Sequence, residues 1–92
     1  MRSQRIEWGA WVGDHMAVGY VLINVSPGAE LEVYNTIKEL PMVEDATLLF
    51  GDYDILVKMS AETMSEIAAG VVQQVRSIKG VVNTKTLAGA EL

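Results

Sequence analysis

The sequence predicts an α+β fold, a four-stranded antiparallel sheet with two helices on one face, from two observations. Short apolar segments of strand length alternate with segments whose apolar residues recur at helical spacing, in the order β-α-β-β-α-β. The two halves also resemble each other, since "LPMVEDATLL" and "IKGVVNTKTL" each close a helix and open a strand. A duplicated β-α-β unit with right-handed crossovers gives the ferredoxin-like plait.

The first half opens with "VGYVLINV", residues 18–25, a short apolar segment that predicts a buried strand. Ser26 and Pro27 have the residue types of a helix N-cap and a first helical position, and Pro41 stops the helix. "VEDATLLF", residues 43–50, is the second strand. The apolar residues at helical spacing, predicted to face the core, are Leu31, Tyr34, Ile37 and Leu40.

The second half repeats this order. "YDILVKMS", residues 53–60, alternates between two faces as a strand does. Thr63 and Glu66 have the spacing of a capping box, Gly80 ends the helix, and "VVNTKTL", residues 81–87, is the last strand. The apolar stripe predicted to face the core is Met64, Ile67, Ala68, Val71, Val75 and Ile78.

Two helices cover one face of such a sheet and leave the other face open. A chain of 92 residues is also small enough to gain stability by burying further surface in an oligomer. We therefore expect dimerisation through the open face, which gives a dimeric α/β barrel.

The composition argues against several functions. A net charge of −5 and a pI near 4.6 do not favour direct binding to nucleic acid. The chain has no cysteine and one histidine, His15, so thiolate sites, histidine-rich metal sites and histidine-based triads are hard to build. We expect no cofactor, no metal and no membrane span, and the lack of cysteine suits a cytoplasmic protein.

Residues 1–16 differ in composition and periodicity from the domain of residues 17–92. They hold both tryptophans and show no sustained periodicity. His15-Met16 is also a dipeptide that expression vectors commonly leave before an insert. Residues 1–16 are therefore either a natural N-terminal extension or a cloning remnant.

Two motifs carry a family resemblance, the turn "GDYD" at residues 51–54 and the end pattern "GVVNTKT" at residues 80–86. With their spacing, residues 18–88 resemble the effector-binding (RAM) domain of the Lrp/AsnC transcription regulators. Those regulators carry an N-terminal helix-turn-helix domain, and the segment before residue 17 is too short for one. The resemblance, together with this short preceding segment, implies a stand-alone effector domain without DNA binding of its own.

The same resemblance implies partners. Domains of this family form dimers that assemble into rings, typically octamers or decamers, and bind free amino acids between dimers. It also leads to the hypothesis that this chain assembles with full-length Lrp/AsnC-type regulators.

The turn after the second strand is the candidate ligand site. A carboxylate there can pair with the ammonium group of an amino acid, and the turn's N–H groups can bind its carboxylate. The same residues also suit a plain hairpin turn, in which Gly51 supplies unusual dihedral angles and Asp52 stays solvated.

Further residues complete the predicted site. Thr84 and Thr86 share one face of the last strand, although β-branched residues also simply favour strands. Leu49 and Phe50 suit either an apolar wall for a ligand side chain or ordinary core. The predicted ligand-binding residues are Leu49, Phe50, Gly51, Asp52, Tyr53, Asp54, Thr84 and Thr86.

The function predicted is a non-enzymatic module for amino-acid sensing and oligomerisation that modulates Lrp/AsnC-type regulators. The alternative is a small dimeric α/β-barrel enzyme of the cofactorless monooxygenase type, and an ACT-type regulatory domain is a third candidate. The enzyme needs a deep pocket with polar groups inside each protomer, whereas the predicted interior consists of Val, Leu, Ile and Met.

Overall fold

The computed structural model describes residues 4–5, 11–12 and 16–89. Within the N-terminal segment, Trp8 and His15 lie outside the described residues, so the nature of residues 1–16 stays a prediction. The described strands are β1 (Gln4–Arg5), β2 (Trp11–Val12), β3 (Ala17–Val25), β4 (Val43–Leu48), β5 (Ile55–Ala61) and β6 (Val81–Ala88).

Strands β3 to β6 form one antiparallel sheet in the order β4-β5-β3-β6, and β1 pairs with β2 separately. The two central strands, β5 and β3, come from different halves of the chain, which is the strand order of the ferredoxin-like plait. Ile23 on β3 lies opposite Ile55 on β5 and Thr84 on β6, so one row of side chains crosses these three strands. The predicted fold class is confirmed.

One irregularity affects the start of β6. Asn24 lies opposite Asn83, but the next residue, Val25, lies opposite Val81. Val82 is therefore an extra residue, a β-bulge, and its side chain is 66% exposed.

The first helix, α1, spans Glu30–Lys38, so the N-cap predicted at Ser26 is wrong. Gly28 has a φ of +91°, a left-handed conformation that keeps the chain out of the helix until Ala29. The Ala29 N-cap makes no side-chain cap bond. The Gly28 N–H donates a hydrogen bond of 3.0 Å to Glu30 Oε1 instead.

The face of α1 that packs on the sheet differs from the predicted one. Val33 and Ile37 are fully buried, and Tyr34 is half-buried, but Leu31 is 62% exposed. Leu31 lies two residues before Val33, which is roughly 200° around a helix of 3.6 residues per turn. The predicted burial of Leu31 is therefore wrong.

The second helix, α2 (Met64–Gly70), continues as a π-helical turn at Val71–Val75. Its predicted cap is confirmed, because the Glu66 N–H donates to Thr63 Oγ1 at 3.1 Å. Glu66 Oε1 in turn accepts a hydrogen bond from the Glu62 N–H at 3.0 Å.

Most of the predicted α2 stripe faces the core. Ile67, Val71 and Val75 are buried, and Met64 and Ile78 are half-buried, as predicted. The expectation for Ala68 is wrong, since its side chain is exposed. Gly70 is buried on that side, where a Cβ would lie 2.8 Å from the Met42 sulfur.

Alternation along β3 and β5 gives the sheet two different faces. On the helix-covered face Val21, Ile23, Ile55, Val57 and Met59 are fully buried. Within residues 16–89, no polar or charged side chain is buried. We name the other side the open face; its residues on β3, β5 and β6 include Tyr20, Leu22, Asn24, Leu56, Lys58, Asn83, Lys85 and Leu87.

Candidate functional site

The loop of residues 49–54, here called the β4–β5 loop, lies at one end of the sheet. The Leu49 N–H donates to the Asp54 carbonyl at 2.8 Å and closes the loop. Gly51 has a φ of +138°, the unusual conformation expected of this glycine. Phe50, Gly51 and Asp52 are exposed, whereas Leu49 and Tyr53 are half-buried. Phe50 is therefore not a core residue.

Three consecutive residues of β3 hold this loop. The Ile23 carbonyl accepts a hydrogen bond from the Asp54 N–H at 2.9 Å. The Asn24 side-chain amide donates to the Asp52 carbonyl at 2.8 Å. The Val25 N–H donates to Asp54 Oδ2 at 2.8 Å. The loop is therefore attached to the central part of the sheet and not only to its own strands.

The Asp54 carboxylate replaces a missing strand partner. Pairing of β3 with β5 ends at Ile23 opposite Ile55, two residues before Val25. The Val25 N–H would be left without an acceptor there, and half-buried Asp54 supplies one. One carboxylate oxygen is thus already committed to the fold.

Asp52 differs from Asp54 in this respect. Its carbonyl is held by Asn24, while its exposed carboxylate makes no hydrogen bond or ion pair with the described residues. Of the two predicted carboxylates, Asp52 is the one available to a cation.

Thr84 and Thr86 lie on the helix-covered side of the edge strand β6. Their cross-strand partners are Ile23 and Val21, whose side chains point to that face. Thr84 is half-buried and Thr86 is exposed. Because β3 lies between β6 and β5, the threonines are about two strand spacings, roughly 10 Å, from β5.

The predicted site residues therefore fall into two groups. Residues 49–54 form one continuous loop at an end of the sheet, exposed at residues 50–52. Thr84 lies in the row of Ile55, the first residue of β5. Thr86 lies one row further from this end. Within the described residues, no three His, Cys, Asp or Glu side chains converge as metal ligands.

Asn24 was not among the site residues predicted from the sequence, although the sequence holds a signal for it. Asn24 is the one amide side chain in the apolar run "VGYVLINV". Its amide reaches the loop, and its Oδ1 accepts a hydrogen bond from the Asn83 amide at 3.4 Å. A polar residue inside a strand that reads as core is a reason to look for a specific partner.

Residues 18–88 match the family model described as the Lrp/AsnC ligand binding domain. The chain belongs to the Lrp/AsnC family. Over 71 residues it is 35% identical to an HTH-type transcriptional regulator of Pyrococcus furiosus, a match that covers 74% of this chain and 47% of that protein. The chain thus spans about half the length of the curated regulators that it matches.

Solved structures share the fold of this chain. A Thermus thermophilus protein superposes with a TM-score of 0.78 at 26% identity, covering 83% of this chain and 95% of that one. A Neisseria meningitidis transcriptional regulator, solved as a complex with L-Met, gives a TM-score of 0.73 at 16% identity, with coverage of 82% and 50%. The latter likeness shows the shared fold alone.

One relative is an enzyme. The chain is 34% identical over 67 residues to a homocitrate synthase of Sulfurisphaera tokodaii, covering 67% of this chain but only 14% of that enzyme. So small a share carries no inference about catalysis. In the described residues, no helix has the length and apolar character needed to cross a membrane.

Proposed function

We propose that this Lrp/AsnC domain senses a free amino acid at the β4–β5 loop and responds by changing its assembly. The observation that carries the proposal is the exposed Asp52 carboxylate on a loop that β3 holds at three points. A rigid loop with an unpaired charge binds a small ion at little cost in ordering entropy.

The chemistry of the loop suits a zwitterion. The Asp52 carboxylate pairs with the ligand's α-ammonium group, while backbone N–H groups of the loop bind its carboxylate. Phe50 and Leu49 supply the apolar wall for the ligand side chain. Thr84 contributes a hydroxyl only to a ligand that reaches across the end of β3, or that lies between two protomers.

The open face supports assembly. Leu22 lies directly opposite Leu56, and Tyr20 lies opposite Leu87, so apolar side chains contribute to the middle of this face. Lys85 and Lys58 lie opposite the same two β3 residues on their other sides. We propose that two protomers pack through it as a dimeric α/β barrel. Dimers then join into a ring of octamer or decamer size, with the amino acid bound between dimers.

The partners follow from charge and family. A net charge of −5 does not favour phosphate binding, so the domain acts without direct contact to nucleic acid. We propose that it modulates full-length Lrp/AsnC-type regulators in the cytoplasm by mixed assembly. The enzyme alternative finds no support in the interior, where the buried side chains of residues 16–89 are all apolar.

The experiment that tests this function is calorimetric titration of the protein with each of the twenty amino acids. We expect one amino acid, or one chemical class, to bind, and Asp52→Asn to weaken its affinity about tenfold or more because a charged contact is lost. Glu39→Gln, an isosteric change at the exposed residue that follows the last residue of α1, is the matched control. If no amino acid binds the native protein, the sensing function is wrong.

A further inference from the structure

A chain of side-chain hydrogen bonds runs across the open face to the β4–β5 loop. The Asn83 amide on β6 donates to Asn24 Oδ1 at 3.4 Å, and the Asn24 amide donates to the Asp52 carbonyl at 2.8 Å. Asn24 and Asn83 are cross-strand partners at the last regular pair before the bulge. These two hydrogen bonds therefore connect β6 and β3 to the β4–β5 loop.

The residue type at position 24 suits this role. An amide carries a donor and an acceptor on one short side chain, and Asn24 uses both. A carboxylate of the same shape could accept from Asn83 but could not donate to the Asp52 carbonyl. An apolar residue, as at the neighbouring positions of β3, could do neither.

We propose that Asn24 is a positioning residue that sets the orientation of Asp52 for ligand binding. Asn24 holds the backbone carbonyl of Asp52, whose carboxylate has no partner among the described residues. This inference rests on the proposed function, since Asn24 acts on a ligand only through Asp52.

The proposal separates Asn24 from the two other loop contacts. The bonds from Ile23 and Val25 both end on Asp54, and they keep the start of β5 attached to β3. Asn24 alone among the three reaches Asp52, nearer the exposed tip. Loss of its donor should therefore loosen the loop while β5 stays paired.

The first test is amide hydrogen exchange in Asn24→Asp and Asn24→Ala. The reporting amides are Leu49 and Asp54, whose bonds close and attach the loop. We expect both to exchange roughly fivefold faster at pH 7, the effect of one net hydrogen bond. Amides of Ile55–Ala61 should keep native rates, which also verifies that the variants fold, and Asn35→Ala on exposed α1 surface is the control.

A change of pH distinguishes hydrogen-bond donation from packing. At pH 4 roughly half of ordinary aspartate carboxyls are protonated, and a protonated carboxyl can donate again. The ratio of variant to native exchange rates removes the intrinsic effect of pH that the two proteins share. The charged side chains nearest to position 24 are Asp52, Asp54 and Lys85, and they are the same in all variants. This ratio should fall towards one for Asn24→Asp and stay constant for Asn24→Ala.

Native loop exchange rates in both Asn24 variants would overturn the proposal, as would a ratio for Asn24→Asp that does not depend on pH. The second test measures affinity for the amino acid found by calorimetry, which Asn24→Asp should weaken about fivefold. A loosened loop with unchanged affinity refutes the positioning role. If the native protein binds no amino acid, the proposed function fails and the role in binding fails with it, whereas native loop exchange alone refutes only the role of Asn24.

Discussion

Both faces of the sheet carry similar apolar residues, but these residues are buried to different extents. On β3, Val21 and Ile23 are fully buried under the helices, whereas Tyr20 and Leu22, which alternate with them, are only half-buried. The same alternation on β5 separates fully buried Val57 from half-buried Leu56. One face is completed within the chain, and the other carries apolar side chains that a partner could still cover.

The comparison teaches where stability and assembly each originate. Both faces derive from the period of two along a strand, so a single stretch such as "YVLIN" contributes alternately to the core and to the open face. Substitutions at adjacent positions should therefore affect different properties of the protein.

The largest effect is expected in the core. Ile23→Ala removes a fully buried side chain and should lower the free energy of unfolding by about 3 kcal/mol. Leu22→Ala, next to it on the open face, should cost about 1 kcal/mol, because Leu22 is only half-buried. Urea unfolding at a protein concentration low enough to keep the protein monomeric measures both. Equal losses would contradict the difference between the faces.

Leu22→Asp tests the open face as a contact surface. A charge placed in the middle of the proposed dimer should raise the dissociation constant roughly 30-fold or more, about 2 kcal/mol. Sedimentation velocity over a dilution series measures it. Val72→Asp, at a 58% exposed residue of the π-helical turn after α2, is the control and should leave assembly unchanged. If both variants assemble like the native protein, the open face is not the interface.

In the β4–β5 loop at the end of the sheet, substitutions of Asp54 and Asp52 should change stability by different amounts. Asp54→Ala leaves the Val25 N–H without its acceptor and should cost about 1–2 kcal/mol of stability. Asp52→Ala should change stability by less than about 0.5 kcal/mol, because its exposed carboxylate supports no contact among the described residues. Thermal and urea unfolding compare them. A larger loss in Asp52→Ala would reverse the roles assigned here.

A small effect is also expected for an ion pair of Lys58 on the open face. Lys58 Nζ lies 3.5 Å from Glu44 Oε1, with side chains 36% and 46% exposed. Since both groups are partly solvated, Lys58→Met should change stability by less than about 1 kcal/mol. The difference should shrink further in 1 M salt, where the screening length is about 3 Å. A larger, salt-resistant loss would mean that this pair is more deeply covered than the single chain indicates.

Much of the fold could be predicted from the sequence, because the spacing of apolar residues and the positions of cap and turn residues are local signals. The four strands, the Thr63 cap and the buried Ile67, Val71 and Val75 all follow from spacing alone. The start of α1 could not be predicted this way. Ser26-Pro27 has the residue types of a cap, but the left-handed Gly28 two residues later postpones the helix.

The candidate site was less predictable, since it depends on contacts between distant residues. The sequence indicates an acidic turn, but it does not show that Asp54 serves the Val25 N–H, 29 residues away. It also groups Thr84 and Thr86 correctly on one face without showing that β3 separates them from the loop. Strand order and register, which arise from the whole sheet, decide both points.

The most direct test of ligand-linked assembly is the mass of the protein by light scattering, measured with and without each amino acid. We predict a mass of several dimers that shifts with one amino acid or one class, with the shift weakened in Asp52→Asn and preserved in Glu39→Gln. A protein that keeps the same mass with all twenty amino acids would contradict the account, because a ligand that favours no assembly state cannot regulate assembly.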